Sequence, residues 1–159
     1  MTRSVFLAAV LAMMLAALPA AATQPACHSP AEIEAMRVRQ LQIDLWLAAS
    51  KCSETGGTVA VYYNVYVERS RRALTENGKL LNEMFARRGK GVADLDHYLT
   101  AMANDAQIRS QSVADYCRVQ TVTLERAAAL TTSELPAFAA EIIPSPFGAA
   151  PCHLREAGR

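Results

Sequence analysis

The chain has four cysteines in 159 residues, and none of them falls in a CxxC or a CxxCH. The first absence excludes a thioredoxin-type dithiol, and the second excludes covalent attachment of a c-type haem. No GxSxG is present to carry a nucleophilic serine, and no glycine-rich phosphate loop follows a strand. An excess of one charge sign is missing too. Sixteen basic residues stand against fifteen acidic ones, so a dedicated nucleic-acid binder, whose affinity rests on clustered phosphate contacts, is not expected. No internal repeat or low-complexity stretch follows residue 22. Nothing in the chain implies a cofactor or a catalytic set.

A long apolar run occurs once, at the start. Arg3 is followed by an almost unbroken apolar stretch from Ser4 to Leu18, then Pro19 and Ala20-Ala21-Ala22. Charge, apolar stretch and small residues in that order read as a secretory signal peptide, residues 1–22, cleaved after Ala22. The run is about 15 residues, short of the roughly 20 that span hydrocarbon. Gln24-Pro25-Ala26 before Cys27 lacks the pattern of a lipoprotein site. Residues 23–159 then form one domain of formal net charge zero, with a core at about 29–141 and a tail at 142–159. All four cysteines lie in it, and an even count in an exported chain reads as two disulfides.

What is present is helical periodicity. Ser29-Pro30-Ala31-Glu32 is a helix start with a capping box. Val38, Leu41, Leu45, Ala48 and Cys52 then recur at spacings of three and four, the stripe of a packed helix over 29–53. Ile33, Met36, Trp46 and Leu47 widen it, and Gly56-Gly57 ends it. Val59, Val61, Tyr63, Val65 and Val67 alternate as a strand would, whereas Tyr63, Tyr66, Ser70, Leu74, Leu81 and Phe85 fit a helical face. No second strand is available as a partner, so the expectation is a helix over 59–88, with Asn77-Gly78 as a point of bending. A third helix over 94–110, capped by Asp94, presents Leu95, Tyr98, Leu99, Met102, Ala106 and Ile108. A fourth over 113–130 turns Val113, Cys117, Val119, Leu124 and Ala128 inward. A short fifth helix covers 133–141 before an irregular tail with Pro144, Pro146 and Gly148.

The fold class is therefore all-α: a four-helix up-down-up-down bundle with a short fifth helix. A first helix of about 24 residues is roughly 35 Å long, so Cys27 and Cys52 sit at opposite ends and cannot bond. Cys52 and the start of the fourth helix share one end, which pairs Cys52 with Cys117. The tail leaves from the other end, which pairs Cys27 with Cys152.

Leu41-Gln42, Leu45, Ala48-Ala49 and Cys52, followed by Tyr63-Asn64-Val65-Tyr66-Val67, Phe85, Ala103-Asn104 and Tyr116-Cys117, make a succession over about 40–118. It resembles a family of exported, mostly helical proteobacterial proteins with no established activity. In that pattern the cysteines matching Cys52 and Cys117 are the recurring pair. Trp46 stands where such chains carry Met or a similar residue. The resemblance implies the helical fold and the first disulfide.

Four constellations are candidates for function. Cys27-His28 and Cys152-His153 would bring two sulfurs and two imidazoles together, a zinc or copper ligand set if the cysteines stay reduced; the plainer reading is a disulfide with two solvated histidines. Asp94, Asp96 and His97 cluster acid and imidazole groups, but a helix start accounts for the carboxylates. Arg69, Arg71, Arg72, Arg87, Arg88 and Lys90, with Lys79, give residues 68–90 a net charge of +4, a candidate face for an anionic surface or an acidic envelope protein. Trp46, Tyr63 and Tyr66 form a candidate pocket between the first two helices, with packing as the alternative. Gln42, Asn64 and Asn104 are candidate buried amides. The functional expectation is a non-enzymatic binding or structural module of the cell envelope, periplasmic or secreted, meeting the membrane only through its signal peptide. The alternative is a small-ligand or metal-binding bundle.

Overall fold

The computed structural model describes residues 27–53 and 58–152; the expected signal peptide, Gly56-Gly57 and His153 lie outside them. The described chain forms five helices: α1 (Pro30–Lys51), α2 (Thr58–Arg87), α3 (Val92–Ser112), α4 (Tyr116–Ala129) and α5 (Leu135–Ile142). No strand occurs among the described residues, only a single backbone bridge between His28 and Pro151.

The start of α1 is built as its residues dictate. The Ser29 hydroxyl accepts the Glu32 N–H, and the Glu32 carboxylate accepts the Ser29 N–H at 2.8 Å. Each satisfies a donor that the first turn would leave bare. We expect Ser29→Ala to lower stability by about 1 kcal/mol, read as a shifted urea midpoint; an unchanged midpoint would show that the cap contributes nothing.

From there α1 is the central element. Val38, Leu41, Leu45, Ala48 and Cys52 are all buried, and α1 packs against each of the other four helices. Residues 58–67 are helical: Val59 and Tyr66 are buried, while Val61 points to solvent. The inward face of α2 continues through Ser70, Leu74, Asn77, Leu81, Met84 and Phe85 at helical spacing. Asn77-Gly78 does not break this helix. Asn77 is buried and its side-chain amide donates to the Ala35 carbonyl of α1 at 2.7 Å. Gly78 leaves room for the guanidinium of Arg39, which would sit 3.3 Å from a Cβ at that position. The pair is a packing device between α1 and α2.

Gly89, with φ at 68°, closes α2 in the left-handed conformation that glycine adopts without penalty. The next helix starts earlier than expected. Gly91 is its N-cap, and Asp94 is the third helical residue, accepting the Gly91 N–H at 2.9 Å. Asp94 therefore caps from inside the helix. Ile108 is 68% exposed, and Val113 and Val119 also face solvent, contrary to the expected inward faces. The buried line of α3 runs Leu95, Met102, Ala106 and Ser110, which places Ile108 on the outer side. Val113 belongs to the turn before α4, where Asp115 takes φ of 51°, a conformation tolerated by a short polar side chain. On α4 the inward line is Leu124, Ala127 and Ala128, so Val119 lies off the packed face.

The bundle alternates as expected through α4. Glu32 meets Arg87 and Arg88, joining the start of α1 to the end of α2. Lys51 donates to Ser110, joining the end of α1 to the end of α3. The disulfides are Cys52–Cys117 and Cys27–Cys152. The route to the second one differs from the expected one. α4 is short, and Arg69, midway along α2, already donates to Ala128 near its end. α5 then crosses α1 from a hollow it shares with Asn77 and Leu80 of α2 to one it shares with Asp105 and Arg109 of α3. The tail returns along α1 through Arg37, which donates to the Ile143 and Pro144 carbonyls, and Gln40, which accepts the Phe147 N–H. It reaches Cys27 from there, so Cys27–Cys152 clasps the tail to the start of α1.

Candidate binding groove

α2 and α3 meet at their connected ends, where the rings of Phe85 and Tyr98 lie 5.5 Å apart. Farther along, a groove of about 390 Å³ opens between them. Its floor is one face of α1, formed by Arg39, Gln42, Ile43 and Trp46 at helical spacing. Tyr63 of α2 forms one wall, and Leu99, Thr100 and Ala103 of α3 form the other. Trp46 is 52% exposed, so it lies open on the groove floor and does not pack in the core as its place beside Leu45 and Leu47 suggested. The volume is within the range of small-molecule sites.

Arg39 sets the electrostatics. One of its terminal nitrogens, Nη1, donates to the Gln42 amide oxygen at 2.8 Å. Its Nε is buried with no hydrogen-bond partner, and no carboxylate lies within ion-pair distance among the described residues. Burial pushes its pKa down, while the neighbouring Tyr66 pulls it back up. Beneath the groove the Tyr66 hydroxyl is likewise buried without a partner, and burial, then Tyr63, push its pKa up. The contrast is Arg109. It is held by Asp44 at 3.0 Å and Asp105 at 2.7 Å, a cation already neutralised by two anions. Burial raises the Asp44 pKa against the pull of Arg109.

The sequence-derived pocket is thus partly realised. Trp46 and Tyr63 line it, but Tyr66 is fully buried beneath, its ring 6.3 Å from that of Tyr63. Arg39, Thr100 and Ala103 were not foreseen. One signal for Arg39 was present: no acidic residue stands three or four positions to either side, where Ala35, Met36, Gln42 and Ile43 are found. Of the three candidate buried amides, Asn64 and Asn104 are exposed and Gln42 is half-buried. Among the described residues the buried polar ones are Gln40, Ser70, Asn77 and Ser110.

The basic residues fall into two groups along α2. Arg69, Arg71 and Arg72 lie some fifteen residues along α2 from Arg87 and Arg88, about 23 Å on a helix. Most have internal partners. Arg69 donates to Ala128, Arg71 pairs with Glu68, and Arg87 and Arg88 both hold Glu32. Lys90 lies over the Phe85 ring. Ion pairs, a carbonyl contact and a ring contact thus engage most of these side chains within the protein, although only the carboxylates offset their charge.

At the chain ends Cys27 and Cys152 are bonded to each other, so neither sulfur is a thiolate able to hold zinc. His28 Nδ1 accepts the Ala150 N–H at 3.1 Å. Among the described residues no group of three or more His, Cys, Asp or Glu comes together to hold a metal ion. Asp96 and His97 are exposed on α3. No helix among the described residues is long and apolar enough to cross a membrane. No family profile, curated protein or solved structure matches the chain.

Proposed function

We propose that the protein is a non-enzymatic binding module of the cell envelope, exported by its first 22 residues and periplasmic or secreted after cleavage near Ala22. On this reading the groove between α2 and α3 takes a small apolar ligand. The observation that carries it is Trp46: a large aromatic left half in solvent in the floor of a groove with Ile43, Tyr63 and Leu99. A tryptophan that served only packing would be expected to bury its ring. Two disulfides support export, because such bonds persist in oxidising compartments. The resemblance to exported helical proteobacterial proteins points the same way.

A neutral fluorescent probe tests the reading. N-phenyl-1-naphthylamine, titrated into the folded protein, is expected to bind once and saturably, with quenching of Trp46 by energy transfer. Ala103→Phe fills the groove from α3 and is expected to weaken that binding at least tenfold while leaving the circular dichroism unchanged. Non-saturable partitioning, or equal binding by Ala103→Phe, would remove the groove as the site.

A further inference from the structure

We propose that the groove selects a small amphiphile with one negative charge, a monocarboxylate, whose head group is set against Arg39. The inference rests on the groove being a ligand site and adds the chemistry of the ligand.

The first argument is charge. Arg39 is a half-buried cation whose surroundings penalise its charge: burial is the largest influence on its pKa and acts downward. Among the described residues its guanidinium donates to the neutral amide of Gln42, and its buried Nε has no acceptor. A buried charge without a counter-charge is costly, and natural proteins normally supply one, as this chain does for Arg109 with two aspartates. A guanidinium is also the side chain best suited to a carboxylate.

The second argument is composition. Among the described residues, Arg39 is the one charged residue lining the groove. A phosphate, with up to two charges and more acceptor atoms, would ordinarily call on further donors or cations. A single cation with Gln42 and Thr100 nearby suits a single-charged head. The remaining lining, Ile43, Trp46, Leu99 and Ala103, is apolar and suits a hydrocarbon or aryl body. The volume of about 390 Å³ suits a single short chain or one ring system and is too small for a two-chain lipid.

The third argument is position. Arg39 and Trp46 lie seven residues apart on α1, about 10 Å along the helix. A head at one and a tail at the other lay the ligand along the groove floor.

Trp46 is the sole tryptophan, so its emission reads the site directly. Decanoate, decanol and decyltrimethylammonium share one tail and differ in head charge. Each is titrated below its critical micelle concentration, with calorimetry alongside. Decanoate is expected to bind one to one, shift Trp46 emission to the blue, and bind roughly tenfold or more tighter than decanol, the weight of one charge-assisted hydrogen bond. The ammonium compound is expected to bind weakest. Arg39→Met is expected to lose that tenfold for decanoate and to leave decanol within about twofold, while Arg39→Lys keeps part of the preference for the anion. Should Arg39→Met not fold, the three-ligand order in the unaltered protein and in Arg39→Lys decides the matter. Equal binding of decanoate and decanol overturns the charge selectivity and leaves the apolar groove standing. A response to none of the three overturns both.

Discussion

Replacing Cys52 and Cys117 together by alanine is expected to lower the free energy of unfolding by about 4 kcal/mol. The bond closes a segment of 65 residues that contains all of α2 and α3. Without it the unfolded chain regains the entropy that the cross-link had removed, and this term alone reaches about 4 kcal/mol for a loop of that length. A native-side loss adds to it. Cys52 is fully buried at the end of the apolar stripe of α1, within the same cluster as Leu45, Val59 and Leu124, and removing a buried sulfur leaves a small void. A small domain with an ordinary stability of 5–15 kcal/mol would keep little margin. Urea denaturation followed by circular dichroism measures the loss, and a change below about 1 kcal/mol would show that the bond is incidental to the fold. Replacing Cys27 and Cys152 should act differently although the loop is longer. That bond holds the tail to the start of α1, where His28 and Ala150 share backbone and side-chain hydrogen bonds. Fraying of residues 144–152 is expected before global unfolding, seen as faster amide exchange confined to the tail.

The second large effect centres on Glu32. Its carboxylate accepts from Arg88 at 2.8 and 3.1 Å, from Arg87 at 3.2 Å and from the Ser29 N–H at 2.8 Å. Arg88 also donates to the carbonyls of Met84 and of Cys27. One acid thus ties the start of α1, the end of α2 and the chain next to a disulfide. The Arg88 hydrogen bonds are the largest influence holding its pKa at about 2 instead of 4.5. A carboxylate held lower in the folded state contributes stability that is complete above its unfolded value and is lost as pH falls through the folded one. The contribution is therefore present at neutral pH and fades between about pH 4.5 and 2. Its upper bound is about 3 kcal/mol. Glu32→Gln keeps a side chain that can still complete the capping box, so it isolates the charge. We expect this variant to be less stable by about 2–3 kcal/mol at pH 7, because two guanidinium groups lose their anion. The difference from the unaltered protein should shrink on acidification toward pH 2. A difference that stays constant with pH would place the effect in packing.

Much of the fold is written in local chemistry. The capping box at Ser29, the stripe from Val38 to Cys52 and the stop at Gly89 are short-range signals, and each appears in the structure where its residues stand. The helical state of 58–67 followed from an elimination: alternating valines without a second strand cannot satisfy their backbone groups. What misled was partner geometry. Trp46 sits beside core residues in sequence yet is half exposed, because α2 and α3 part above it. Ile108, Val113 and Val119 are apolar and outward, because α3 and α4 each present one narrow line of contact. The positive charge of residues 68–90 suggested a face, but Glu32, distant in sequence and adjacent in space, takes up two of those arginines.

The Trp46–Tyr63 pairing was half legible for the same reason. Helical spacing predicts which residues share a side of one helix; it is silent on whether a neighbouring helix closes over them. Arg39 shows the limit most clearly. Its lack of a local acidic partner is visible in the residues around it, but its burial and the absence of a distant carboxylate partner among the described residues exist only once α1, α2 and α3 are placed together.

The amino-acid sequence by itself determined the helices, their order, the buried stripe of α1 and, through the length of that helix, which cysteines pair, because these follow from backbone propensity, periodicity and distance along a rigid rod. Only the tertiary structure decided the crossing of α5 over α1 and the return of the tail along α1, the partners of the basic residues and the existence of a groove with an unneutralised guanidinium at its floor. Those depend on how far apart helices lie and on which side chains from remote positions meet, and no local rule carries that information.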